Sequence, residues 1–92
     1  MTQQYIVGEF SSLLAELQPA PTELCGSAVD NLRREIESGQ WGQLPWLAQE
    51  ALALADMICW VALEQGNASG FHRYSETAVA LRDFTASANL LP

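Results

Sequence analysis

Residues 45–65 read PWLAQEALALADMICWVALEQ, and the apolar side chains of this run recur at helical spacing. Leu47, Ala51, Leu54, Ala55, Ile58, Val61 and Ala62 fall three or four positions apart, which gathers them on one broad helix face. Pro45 suits the first position of a helix, where its missing N–H costs nothing. The run is also too long for a strand and lacks strict alternation. Its one polar stripe passes through Gln49, Glu50, Asp56 and Glu64, with Ala53, Met57 and Trp60 in or beside it. A helix apolar over most of its circumference is expected to be the central, most buried element of a helical fold.

Such a helix needs others to cover it, and the flanking sequence supplies three. Ile6, Phe10, Leu13, Leu14 and Leu17 trace one face of a helix predicted over residues 4–18, stopped by Pro19. After the stiff Pro19-Ala20-Pro21 connector, Thr22 can cap a second helix over 23–38, whose inward face is Cys25, Ala28, Val29, Leu32 and Ile36. Asp30 with Arg34 and Arg33 with Glu37 are spaced for ion pairs on its outer face, and Gly39 is a natural C-terminal cap. Gln40-Trp41-Gly42-Gln43-Leu44 then forms a loop before the 45–65 helix. Gly66-Asn67-Ala68-Ser69-Gly70 is a turn. A fourth helix over 71–88, with Ser69 as its cap, buries Phe71, Tyr74, Ala78, Leu81 and Phe84. The apolar tail, Asn89 to Pro92, is suited either to docking or to fraying. No segment asks to be a strand, and short connections make sequential helices antiparallel neighbours. The expectation is an all-α fold, a small four-helix bundle-like domain spanning residues 1–92.

Composition narrows what such a domain does. A chain of 92 residues has room for one core, with about 5,300 Å² left exposed after folding. With 49% hydrophobic and 16% charged residues, it carries more apolar surface than so small a body readily hides, which favours a protein partner or a homodimer. The net charge is −7, and the only cations besides a single histidine are Arg33, Arg34, Arg73 and Arg82. Nucleic-acid binding is therefore not expected, because phosphate affinity comes from clustered Lys and Arg, and the same deficit argues against anionic membranes. The first ten residues lack the basic and long apolar regions of a secretory signal. The most apolar stretch, Ala51 to Leu63, is interrupted by Asp56 and is shorter than a membrane span. Cys25 and Cys59 sit in apolar helical patterns, as buried thiols of a reducing compartment would, so the expected location is cytoplasmic.

No catalytic pattern emerges. One histidine and two widely separated cysteines cannot supply a zinc site, so neither metal nor cofactor is expected. A pairing of His72 with Cys25 or Cys59 fails as a nucleophile because burial suppresses the thiolate. His72 instead reads as a surface residue facing Glu76. Asp56 is the one distinctive carboxylate: inside an apolar helix it must reach solvent, meet Arg73 or Arg82, or serve a ligand site within the bundle.

The tryptophans are more informative. Trp41 lies in a glycine-flanked loop, Trp46 opens the third helix, and Trp60 follows fourteen residues later, near the same side. Tryptophan and methionine beside a charged rim are the hallmark of contact surfaces. Trp41, Trp46, Asp56, Met57 and Trp60 are therefore the candidate partner-binding residues, with at least one tryptophan exposed. The leading expectation is a non-enzymatic interaction module, a homodimeric adaptor, chaperone-like or regulatory protein. The alternatives are an acidic inhibitor, antitoxin-like or immunity-type protein that blocks a basic partner, and a small-ligand bundle or enzyme built on Asp56. Charge distribution weakens the second, because the helices sum to about −2, −2, −3 and 0, spreading the acid over three of them.

Overall fold

The computed structural model describes residues 2–39 and 41–91. Gln40, assigned above to a loop, and Pro92 of the tail lie outside the described residues, as does Met1. Four helices follow one another: α1 (Gln3–Ala15), α2 (Glu23–Glu37), α3 (Leu44–Glu64) and α4 (Ala68–Ser87), with a short 3-10 turn at Trp41–Gln43 ahead of α3. Among the described residues there is no strand, and the fold is an all-α four-helix bundle. Neighbours in sequence are neighbours in space, and α4 closes the square against α1. Each helix thus packs mainly on two others, with α1 diagonal to α3.

The helix ends follow local chemistry. Thr22 caps α2 by accepting from the Cys25 N–H at 3.1 Å. α2 stops at Ser38, and Gly39 turns the chain at a φ of 86°, a conformation that a residue with a Cβ rarely adopts. α1 ends three residues earlier than its apolar spacing predicts. Glu16, Leu17 and Gln18 each donate to the carbonyl three residues back, so the last turn tightens as the chain approaches Pro19. α4 begins three residues earlier than predicted, because Asn67 and not Ser69 caps it: Asn67 Oδ1 accepts from the Gly70 N–H at 2.9 Å. Ser69 only supports that cap, donating its hydroxyl to the same oxygen. Gly70 leaves the space the cap occupies, since a Cβ there would collide with the Asn67 side chain.

One apolar core runs through the bundle. Phe10, Leu14 and Leu17 of α1 and its last turn, Val29 and Ile36 of α2, Leu47 and Ile58 of α3 and Leu81 of α4 are all fully enclosed. Phe10 meets Phe84 with ring centroids 6.1 Å apart and planes tilted by 51°, a favourable aromatic geometry. Phe71 and Phe84 are only partly covered, whereas Thr77 and Thr85 of the same helix are buried. Thr85 enters without penalty because its hydroxyl donates to the Leu81 carbonyl at 2.9 Å. The tail docks: Leu90 is buried and its N–H reaches the Thr85 carbonyl. Cys25 is buried, but Cys59 is only half-buried on the flank that faces α4; both are free thiols.

Polar ties hold the helices in register. Ser11, buried in α1, donates to Glu37 and accepts from Arg33 Nε at 3.1 Å, so a serine links α1 to the Arg33–Glu37 pair of α2. Asp30 accepts from Gln18 at 3.3 Å and forms no ion pair with Arg34, which corrects the expected Asp30–Arg34 pair. A stronger tie comes from α4. Arg73 donates to the carbonyls of Glu16 at 2.7 Å, Gln18 at 3.2 Å and Pro19 at 3.1 Å, while the Tyr74 hydroxyl also donates to Pro19. The Arg73 guanidinium sits 4.4 Å above the Tyr74 ring, a cation–π contact that steadies both. Carbonyls at the end of α1 are thus satisfied by a distant arginine. Replacing Arg73 with Met should cost about 1–3 kcal/mol and speed amide hydrogen exchange at Leu17, Gln18 and Ala20. An unchanged denaturation midpoint would show that the clasp is not structural.

Candidate functional site

α3 contributes more buried residues than any other helix, among them Leu44, Leu47, Ala48, Ala51, Leu54, Ala55, Ile58 and Ala62. It is nevertheless not enclosed. Standing at a corner of the square, it has α2 on one flank and α4 on the other, and among the described residues no further helix covers its outer side. Val61, expected on the inward face, lies only partly buried on the α2 flank.

The outer side is apolar at its ridge. Trp46, Ala53, Met57 and Trp60 fall within an arc of about 60° at 3.6 residues per turn, and all four are exposed. Trp46 is 57% exposed, Met57 48% and Trp60 64%. The two tryptophans stand about 21 Å apart along the axis, with Ala53 midway as a low saddle.

Two grooves flank the C-terminal half of this ridge. Towards α2, Leu24, Cys25, Ala28, Met57 and Val61 line an open, almost wholly apolar groove of about 420 Å³. Towards α4, Asp56, Cys59, Trp60, Leu63 and Phe71 line one of about 390 Å³. Leu24 is 83% exposed and Leu63 51%, so both extend the apolar surface beyond α3's midline. Neither was singled out from the sequence. The signal was present for Leu24, since it stands outside the inward series of α2, which starts at Cys25, and so is an apolar residue on a polar face.

The structure sorts the candidates into three places. Asp56, Met57 and Trp60 come together at the C-terminal half of α3, and Trp46 marks the far end of the same ridge. Trp41 does not join them, because its 3-10 turn folds it against the core edge, where it is partly buried. Asp56 is a surface group: its carboxylate lies 3.6 Å from Arg82 Nη2, and both side chains are more than half exposed. It therefore meets one of the two arginines considered for it and lines the rim of a groove, not an interior cavity. His72 pairs with Glu76 at 3.1 Å on the opposite exposed turn of α4.

The surroundings of the ridge are acidic. α3 exposes Glu50, Asp56 and Glu64 and carries no cation. Of the four arginines, Arg33 is held by Glu37 and Ser11, Arg73 by the Pro19 turn and Arg82 by Asp56, which leaves Arg34 near Trp46. Among the described residues no group of three His, Cys, Asp or Glu side chains could hold a metal ion.

The apolar length of α3 also revises one reading of the sequence. With its preceding turn it spans Trp41–Glu64, long and apolar enough to cross a membrane by length and composition, whereas Ala51–Leu63 alone falls short. A core helix passes the same test, and here the inward side of α3 is packed against α2 and α4.

Compared with known protein families, curated proteins and solved structures, the chain finds no match. Asp56→Asn should change stability by less than about 1 kcal/mol, the scale of an exposed ion pair. Trp60→Ala should stay within about 0.5 kcal/mol of wild type. Chemical denaturation followed by circular dichroism checks both, and a loss of several kcal/mol from either would mean that the ridge is structural.

Proposed function

We propose that the protein is a non-catalytic interaction module that docks a protein partner on the outer face of α3. The observation that carries this reading is the exposed ridge of Met57 and Trp60 between two apolar grooves, extended by Leu24 and Leu63. The exposure is not a sign of loose folding: the accessible surface is 5338 Å², the value ordinary scaling gives for a compact chain of this mass. Tryptophan and methionine flanked by a charged rim are the residues that dominate binding energy at protein interfaces.

The ridge is better suited to a different protein than to a second copy. Pairing α3 with itself in antiparallel fashion about Ala53 would bring Glu50 of one copy against Asp56 of the other, with Arg82, already paired to Asp56, as the cation beside them. The Asp56 reading loses support for a related reason, since an exposed, arginine-paired carboxylate has neither the burial nor the cavity that ligand chemistry uses. A reducing cytoplasm, where Cys25 and Cys59 stay free thiols, is the setting this proposal assumes.

Capture from host cells with the wild-type chain and with Trp60→Glu tests the reading. A partner retained by the wild type and by Tyr5→Ser, on the diagonally opposite helix, should be lost with Trp60→Glu. Equal recovery by all three would remove the face from consideration.

A further inference from the structure

The shape and charge of the α3 face together point to the chemistry of its partner. We infer that the face receives a cationic amphipathic helix, one with an apolar stripe along one side and lysines or arginines on its shoulders. This rests on the docking reading above and specifies its occupant.

The shape argument comes from the ridge. Trp46, Ala53 and Trp60 repeat at seven-residue intervals, the period at which one helix keeps a straight seam towards another. The seam is about 21 Å long, which matches about four turns of a partner helix. Ala53 sits between two bulky side chains and permits close approach at the centre, while the grooves beside Met57 and Trp60 provide holes for apolar side chains. Helix-in-groove recognition works by such i, i+3, i+4, i+7 anchors.

The charge argument selects the partner's sign. Glu50 lies beside the seam and Glu64 at its C-terminal end, neither with a salt-bridge partner among the described residues, and Asp56 shares only Arg82. Among the described residues, Arg34 is the arginine without a salt bridge or side-chain hydrogen bond, and it lies at the Trp46 end beside Glu35. An acidic or neutral helix would leave the carboxylates unpaired at the rim. A basic one places its lysines over them, gaining affinity at close contact and a faster encounter with a chain of net charge −7.

Designed peptides of about 15 residues test this directly, with Trp fluorescence and calorimetry as readouts. Four are needed: a Lys/Leu amphipathic helix, its sequence-scrambled isomer, a Gln/Leu neutral helix and a Glu/Leu acidic helix. The Lys/Leu helix should bind at least about tenfold more tightly than the other three, and weaken as salt is raised. Trp60→Ala should reduce that binding about tenfold or more, whereas Tyr5→Ser should not. The double variant Glu50→Lys/Glu64→Lys, altered only at exposed positions, should come to prefer the Glu/Leu helix.

Each contrary result overturns the inference in a distinguishable way. Equal binding of the scrambled isomer would mean charge attraction without a docking seam. Equal binding of the neutral helix would keep the face as a docking site but remove its preference for a basic partner. Binding of none of the peptides, with dimers seen by light scattering, would assign the face to a second copy. Trp60 burial in neutral phosphatidylcholine vesicles without peptide selectivity would assign it to a lipid surface.

Discussion

A helix in a four-membered square has two neighbours, and two neighbours cannot cover a helix that is apolar nearly all round. The rest of this structure follows from that mismatch at α3. Its inward side organises the core, because the small residues Ala48, Ala51, Ala55 and Ala62 let α2 and α4 approach closely around Leu47, Leu54 and Ile58. The outward side is left with Trp46, Met57 and Trp60 in solvent. A larger bundle, or a chain with a fifth helix on that corner, would have hidden them.

The bundle's polar ties are placed away from this surplus. Arg73 and Tyr74 of α4 grip the Pro19 turn, Gln65 donates to the Pro21 carbonyl, and Ser11 bridges α1 to Arg33 and Glu37. These contacts join α1 and the α1–α2 turn to the other helices. The outer face of α3 takes no part in them beyond the Asp56–Arg82 pair. The division leaves a face free for a partner on a scaffold whose register is set elsewhere, and rigid elements of this kind hold a contact surface ready with little ordering left to do on binding.

Electrostatics adds selectivity to shape. Three of the four arginines are engaged in internal contacts, and only Arg82 among them offsets a carboxylate of α3, so among the described residues Glu50 and Glu64 stay unpaired along its outer side. A contact made only of apolar surface would accept many partners. In the proposed docking, carboxylates beside the seam would reject acidic partners, and that repulsion would select as much as the burial itself.

The sequence placed the four helices and most of their inward faces, though Val61, Phe71 and Phe84 are only partly buried. Apolar spacing located all four, the chemistry of Thr22 and Gly39 marked the ends of α2, and Pro45 marked the start of α3 to within one residue, standing second instead of first, because capping and periodicity are properties of a few adjacent residues. It also showed that residues 45–65 carry more apolar surface than polar. Which part of that surface is covered was settled by how the folded helices pack around it. Trp41 and Trp60 look alike as text, yet one packs at the core edge and the other stands in solvent, since the outcome depends on where α2 and α4 lie and on α1 being diagonal. The choice of Arg82 over Arg73 as the partner of Asp56, the clasp of Arg73 on Pro19, the start of α4 at Asn67 and the exposure of Leu24 were settled likewise, by competition among groups that come together only when the chain has folded.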